Sequence, residues 1–124
     1  MLIGQYSSKL TEGNRISVPK KIREELGEEM VIARWYEACL VLVSKENWQK
    51  LISRLIGKSE IIIAKVRDID RFIFASAYEV GLDNQGRFVL PENLKEYAGV
   101  TNDIVFVGLG DRVEIWDKNA WVGL

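Results

Sequence analysis

Two arginines, Arg15 and Arg87, are the residues of this sequence whose type and placement best suit chemistry with a partner molecule. Each follows a polar turn that contains a glycine, in the segments Leu10–Pro19 and Leu82–Pro91. We predict that each turn is the tip of a two-stranded hairpin, so that each arginine stands near the exposed end of a ribbon. A guanidinium there can present its planar fork to a guanine edge or to phosphate groups, and β-ribbons are known to read the grooves of nucleic acids.

The competing explanation is structural: each arginine pairs with a nearby carboxylate and fixes its own turn. In the second segment Asp83 lies four residues before Arg87, within reach of such a pair. From spacing alone the structural role is slightly favoured. The two roles are compatible, because a carboxylate that holds the arginine also orients its guanidinium toward a partner.

The two turns belong to an internal duplication that spans most of the chain. Arg87 lies 72 positions after Arg15, and the two prolines, Pro19 and Pro91, show the same offset. Further residues repeat in the same way: Tyr6 and Tyr78, Ile22 and Leu94, Glu24 and Glu96, Gly27 and Gly99, and, with one inserted residue, Trp48 and Trp121. A unit of about 45 residues is near the lower limit for folding alone, so we expect the halves to complete each other's core.

We therefore predict one compact domain over residues 1–124, with a first repeat at 5–48, a helical connector at 49–75 and a second repeat at 77–121. Each repeat is predicted as strand, turn, strand, short helix, two further strands and a last helix. In the connector, residues 61–73 mix strand and helix patterns and favour a helix.

Particular residues are expected to begin and end these elements. Pro19 suits the first position of the short helix, where its missing N–H costs nothing, and Gly27 suits the C-terminal cap. Ser44 and Asp117 are the predicted N-caps of the last helix in each repeat.

The tryptophans divide into two groups. Those on patterned apolar faces are predicted to be core: Trp48, Trp116 and Trp121. Trp35 and Tyr36 fall in a predicted hairpin tip, where an exposed aromatic pair would serve an interface or shield one end of a barrel.

Composition argues against catalysis, metal binding and membrane insertion. The chain has no histidine, the commonest general base and metal ligand, and one cysteine cannot build a zinc site. That residue, Cys39, lies in an apolar run and is expected to be a buried small side chain rather than a nucleophile. We expect no enzymatic activity, no cofactor and no metal. With neither a signal-peptide pattern nor an apolar run of membrane-spanning length, a soluble protein of the reducing cytoplasm is expected.

The charge distribution leaves two interpretations open. A net charge of −1 argues against a uniformly basic nucleic-acid binder, yet the segment from Lys9 to Arg23 carries five cations and one acid. A solvated helix face is the ordinary explanation of such a run. The alternative is an edge that contacts phosphates, for which the candidates beside the turn arginines are Lys9, Lys20, Lys21 and Arg23.

Taken together, these motifs resemble the MraZ family of bacterial regulators, which are built from two swapped-hairpin half-domains of the AbrB/SpoVT type. The resemblance rests on the duplication and on three segments: Asp83-Asn84-Gln85-Gly86-Arg87-Phe88-Val89-Leu90-Pro91, Leu94-Lys95-Glu96-Tyr97-Ala98-Gly99 and Val107-Gly108-Leu109-Gly110-Asp111-Arg112-Val113-Glu114-Ile115-Trp116. It covers nearly the whole chain.

The resemblance implies a fold that is mainly β with short helices (α+β), a double-split or swapped-hairpin β-barrel formed by two intrachain repeats. It implies that Asp83 orients Arg87. In the first repeat the family's acid is replaced by Thr11, so that only Arg15 of that pair is present. Ring-like homo-oligomers that present many arginine-bearing turns to double-stranded DNA are further implied.

The leading hypothesis is a sequence-specific DNA-binding transcriptional regulator, associated with the nucleoid in the cytoplasm and without contact to a membrane. By resemblance it would bind short repeated sites upstream of its own gene, which in the family heads a cluster for cell division and cell-wall synthesis. The alternative is an antitoxin-like or assembly module whose main partner is a protein. An enzyme is the least favoured class.

Overall fold

The computed structural model describes residues 1–57, 68 and 71–124 and has the expected mainly β architecture with short helices. Within these residues the first repeat supplies four strands: β1 (Leu2–Thr11), β2 (Arg15–Ser17), β3 (Glu29–Arg34) and β4 (Leu40–Ser44). The second supplies β5 (Tyr78–Gly81), β6 (Arg87–Val89), β7 (Asp103–Gly110) and β8 (Val113–Asp117). The described residues include the helices α1 (Lys20–Leu26), α2 (Lys45–Gly57), α3 (Glu92–Ala98) and α4 (Lys118–Val122), a 3-10 turn at Tyr36–Ala38 and further helical residues at 71–74.

The strands form one antiparallel sheet in the order β5-β3-β4-β8-β7-β1-β2-β6. The two outermost strands, β5 and β6, are consecutive in the chain, so the sheet curves back on itself into a nearly closed barrel. Four of its seven pairings join strands from different repeats, namely β5–β3, β4–β8, β7–β1 and β2–β6. The hairpins of the two repeats are therefore swapped into each other, as the resemblance implies.

The pairing of β2 with β6 lies on a pseudo-twofold axis that relates the repeats. Ile16 faces its own counterpart, Phe88, across this ladder. Outside the ladder, the Val18 N–H donates to the Gly86 carbonyl at 3.0 Å, and the Leu90 N–H donates to the Asn14 carbonyl at 2.7 Å. Each turn thus accepts a backbone hydrogen bond from the other repeat, at equivalent positions.

Two apolar clusters lie on opposite faces of the sheet. In β4, Leu40 and Leu42 belong to the barrel interior, together with Ile16 and Phe88. Val41 and Val43 belong to an outer cluster, and its other members include Ala33, Trp48, Leu51, Ile73, Val105 and Trp116. Because side chains alternate along a strand, β3, β4, β7 and β8 are buried on both faces. The expectation of a shared core is confirmed.

The short helices begin one residue later than predicted. Pro19 has φ −54° and ψ 143°, which is extended backbone, and it is the N-cap rather than the first helical residue. Its carbonyl accepts the first helical hydrogen bond, from the Arg23 N–H at 2.9 Å. The prediction that Gly27 ends α1 is confirmed.

The two predicted helix caps have different outcomes. Ser44 caps α2, because its Oγ accepts the Asn47 N–H at 3.1 Å. Asp117 occupies the N-cap position of α4 without a capping hydrogen bond. Its buried carboxylate instead accepts the N–H and the hydroxyl of Thr101, at 3.3 and 3.2 Å. This capping prediction was wrong because a tertiary partner competes for the same oxygen.

The aromatic residues are placed mostly as expected. Trp48 and Trp116 are buried, and Trp121 is half-buried against the outer cluster. Of the hairpin-tip pair only Tyr36 is exposed; Trp35 packs into the outer cluster with 4% of its surface accessible. In the predicted connector, residues 68 and 71–74 are helical, and the rest of the 61–73 prediction lies outside the described residues.

Phe88→Ala tests the register of the central ribbon. The ring is 2% exposed at the pseudo-twofold axis, and removing it is expected to lower the free energy of unfolding by about 3–5 kcal/mol. Val89 follows it on the opposite face and is 55% exposed, so Val89→Ala should change stability by no more than about 0.5 kcal/mol. Chemical denaturation at a fixed protein concentration measures both, and equal losses would contradict the register.

Candidate nucleic-acid interface

The outward face of the β2–β6 ribbon carries both turn arginines. Ile16 and Phe88 point into the barrel, so their neighbours along each strand point outward. In the register, Arg15 pairs with Val89, and Ser17 pairs with Arg87. Diagonal neighbours on one face of a ladder lie about 7–8 Å apart, and Arg15 and Arg87 are such neighbours. The fold therefore brings together the two arginines that the sequence singled out.

In the second turn, Asp83 binds both the backbone and the side chain of the arginine. Its Oδ1 accepts the N–H of Gln85 and the N–H of Arg87, each at 2.9 Å. Its Oδ2 accepts Nε–H of Arg87 at 3.1 Å. Among the described residues, the side-chain hydrogen bonds of Arg87 use only Nε, so both Nη groups are available to a partner. The structural role considered from the sequence is present and is compatible with binding.

These hydrogen bonds favour the ionised form of Asp83. The backbone N–H of Arg87 is the largest cause, and with the N–H of Gln85 and the Arg87 guanidinium it holds the pKa of this carboxyl below its usual value. The carboxylate is therefore charged, and able to hold the arginine, throughout the neutral pH range.

In the first turn the arginine is held differently. Thr11 stands where Asp83 stands in the second repeat, and its hydroxyl donates to the Arg15 carbonyl at 3.1 Å. Nη1 of Arg15 donates to the Glu12 carbonyl at 3.3 Å. The guanidinium folds over Gly13, where a Cβ would lie 2.2 Å from Nη1. Arg15 thus rests on its own turn backbone, with no carboxylate bound among the described residues.

Each turn is flanked by the short helix of the other repeat. Arg23 of α1 lies against Gly86, where a Cβ would be 2.4 Å from its Nη1. Its counterpart 72 positions later is Lys95 of α3, whose Nζ donates to Oδ1 of Asn14 in the first turn at 3.1 Å. The cross-repeat pattern follows from the swap of hairpins.

The predicted phosphate-contacting residues do not form one cluster. Lys20 and Arg23 line a cleft of about 660 Å³ between α1 and the second turn, next to Asp83. Lys21 lines a different cleft, with Met1 and Glu25 among its neighbours. Lys9 is exposed near the end of β1 and is in register with Asp103 of β7.

Sequence reasoning missed the residues of α3 that contact the first turn. Besides Lys95, Oε2 of Glu92 accepts Nδ2 of Asn14 at 2.9 Å. Lys95 could have been found from the duplication, since it occupies the place of Arg23. Glu92 could not, because its counterpart is Lys20.

The described residues give little support to a nucleophilic cysteine or to a metal site. Burial raises the pKa of the Cys39 thiol, helped by Glu114 and Glu37, so the thiolate nucleophile is disfavoured. Over residues 1–57, 68 and 71–124 there is no group of three or more acidic or cysteine side chains placed to hold a metal ion. Within the same residues, no helix is long and apolar enough to cross a membrane.

Comparisons with known proteins agree on one family. Its model, described as "MraZ protein, putative antitoxin-like", matches residues 1–72 and again residues 73–123. A relative from Clostridium beijerinckii is 44% identical over 122 residues, which cover 98% of this chain and 84% of the relative. A relative from Syntrophomonas wolfei subsp. wolfei is 42% identical over 121 residues, with the same coverage. Each of these relatives is named "Transcriptional regulator MraZ".

Asp83→Asn tests the electrostatic hold on the second turn. Because the pKa of Asp83 is lower in the folded than in the unfolded chain, its ionisation stabilises the fold above the unfolded value of about 3.9. That contribution is lost as the pH falls through the folded pKa. We expect the free energy of unfolding to fall more steeply below about pH 4 in the original chain than in Asp83→Asn. Parallel acid profiles from denaturation at several pH values would contradict this expectation.

Proposed function

The chain belongs to the MraZ family, and from this premise we propose that it is a DNA-binding transcriptional regulator. The curated relatives carry that regulatory name. We further propose that it recognises DNA by sequence, through Arg15 and Arg87 on the β2–β6 ribbon, and that it has no enzymatic activity.

One observation carries this proposal: the two arginines share the outward face of the β2–β6 ladder, diagonal to each other across it. The major groove of B-DNA admits a two-stranded β-ribbon. A guanidinium with both Nη groups available can donate two hydrogen bonds to O6 and N7 of guanine. Arg87 meets this requirement while Asp83 occupies its Nε, which supports a role for Asp83 in orienting the arginine.

Phosphate contacts are assigned to the lysines and arginine of the first repeat. Lys20 and Arg23 line the cleft beside the second turn and are the best placed. Lys9 and Lys21 are exposed and would contact phosphates further from the ribbon. Such contacts position a protein on the duplex and carry no sequence information themselves.

A single copy offers few contacts, and its net charge of −1 provides little non-specific attraction to DNA. We therefore propose that the protein acts as a ring-like homo-oligomer on repeated promoter sites. Binding of one copy raises the effective concentration of the next copy at its own site. The expected location is the cytoplasm, on the nucleoid, at the promoter of the protein's own division and cell-wall gene cluster.

The decisive experiment is binding, by fluorescence anisotropy, to the DNA immediately upstream of the protein's own gene and to a scrambled duplex, at two salt concentrations. Preference for the natural duplex that survives the higher salt supports sequence-specific regulation. Equal, salt-sensitive binding to both reduces the function to non-specific association. Absence of binding to either would favour the alternative, an antitoxin-like or assembly module with a protein partner.

Arg87→Ala and Arg15→Ala are each expected to weaken specific binding by about 1–3 kcal/mol and to relax specificity at the contacted base. The matched control is Lys50→Ala, which also removes one cation. Lys50 is exposed on α2, which packs on β3 and β4, two strands that do not pair with β2 or β6. If Arg87→Ala binds the natural duplex as tightly as the control does, the proposed base contact is wrong.

A further inference from the structure

The first turn has no counterpart of the Asp83 carboxylate that binds Arg87 in the second turn. Residues of the second repeat instead bind three atoms of Asn14 in the first turn. Asn14 donates from Nδ2 to Glu92 at 2.9 Å and accepts the Lys95 ammonium on Oδ1 at 3.1 Å. Its backbone carbonyl accepts the Leu90 N–H at 2.7 Å. All three partners belong to the second repeat, 76 to 81 positions away in sequence.

We propose that Glu92 and Lys95 are positioning residues that hold Arg15 in its DNA-binding orientation through Asn14. This inference rests on the proposed function of Arg15. Under this proposal, α3 of the second repeat orients the arginine of the first turn, as Asp83 orients the arginine of the second turn from within that turn.

The contacts have the strength and geometry for this role. Both side-chain hydrogen bonds of Asn14 involve a charged partner, and such bonds are stronger than neutral ones. The side chain of Lys95 is half-buried, which limits competition from water at its bond, whereas the bond to Glu92 is exposed. Asn14 has a φ of 56°, a left-handed conformation that asparagine tolerates better than most residues. Asn14 directly precedes Arg15, so the contacts that fix Asn14 also fix the start of β2.

A direct contact of Lys95 with a DNA phosphate is the competing explanation. Loss of a phosphate contact lowers the salt dependence of binding by about one unit of slope and acts independently of Arg15. Loss of a positioning contact leaves the slope unchanged and has no effect once Arg15 has been removed. The two explanations therefore differ in two measurable quantities.

Glu92→Ala gives the sharpest test, because simple electrostatics predicts the opposite result. Removing an acid beside a DNA-binding surface should tighten binding, whereas loss of the Asn14 contact should weaken it. We expect roughly three- to tenfold weaker binding, as for the loss of one side-chain hydrogen bond. Glu92→Gln keeps an acceptor oxygen and should restore most of the affinity. The matched control is Glu96→Ala, an exposed acid on the same helix, which should not weaken binding.

A double-mutant cycle tests whether the effect passes through the first arginine. Lys95→Met should weaken binding in the original chain and in the Arg87→Ala background, and should have no further effect in the Arg15→Ala background. Anisotropy titrations at three salt concentrations give both the affinities and the slopes. Additive losses with a reduced slope would overturn the positioning role and identify Lys95 as a phosphate contact.

A measurement without DNA separates failure of this inference from failure of the proposed function. In the free protein, Glu92→Ala should speed the exchange of the Asn14 side-chain amide protons with water, and Glu92→Gln should not, as followed by nuclear magnetic resonance. If the original chain does not bind DNA, the proposed function fails and the inference falls with it, even where the exchange data verify the contact. If DNA binds and Arg15→Ala weakens it, but neither Glu92→Ala nor Lys95→Met does, only the inference is overturned.

Discussion

The structure depends on the antiparallel pairing of β2 with β6, two strands of three residues taken from different repeats. This ladder places Ile16 opposite Phe88 in the interior and lets each turn accept a backbone hydrogen bond from the other repeat. A slip of one residue would exchange the two faces of a strand, burying an arginine and exposing an aromatic ring. The cost of both errors specifies the register, and the register in turn puts Arg15 and Arg87 on one outward face.

Swapping the hairpins also decides which helix touches which turn. Because the hairpins are swapped, each turn lies beside the short helix of the other repeat. Arg23 of α1 contacts the second turn, and Lys95 of α3 contacts the first. The two halves therefore contact each other at the turns as well as in the core.

The repeats have diverged in how they hold their arginines while keeping the backbone plan. The second turn uses a carboxylate within the turn, whose lowered pKa reflects the N–H groups directed at it. The first turn uses the Thr11 hydroxyl and the Glu12 carbonyl, and its Asn14 is bound from the second repeat by Glu92 and Lys95. Contacts within a turn require the closure of a loop of only a few residues. Contacts from the other repeat form only when the whole barrel has formed. Under the positioning role proposed for Glu92 and Lys95, the first arginine depends more on the rest of the fold than the second does.

The sequence by itself determined several features that depend on local spacing. The 72-residue duplication, the glycine-bearing turns, the Asp83–Arg87 pair and the Ser44 cap were all readable from it, because these contacts span a few residues or repeat at a constant offset. Only the tertiary structure decided that Asp117 binds Thr101, that Trp35 is buried, and that Asn14 is bound by Glu92 and Lys95. Asn14 meets α3 through the pairing of β2 with β6, Trp35 is buried by the packing of the outer face, and Asp117 meets Thr101 across the β7–β8 hairpin. These contacts depend on how the elements pack, so the local sequence pattern does not show them.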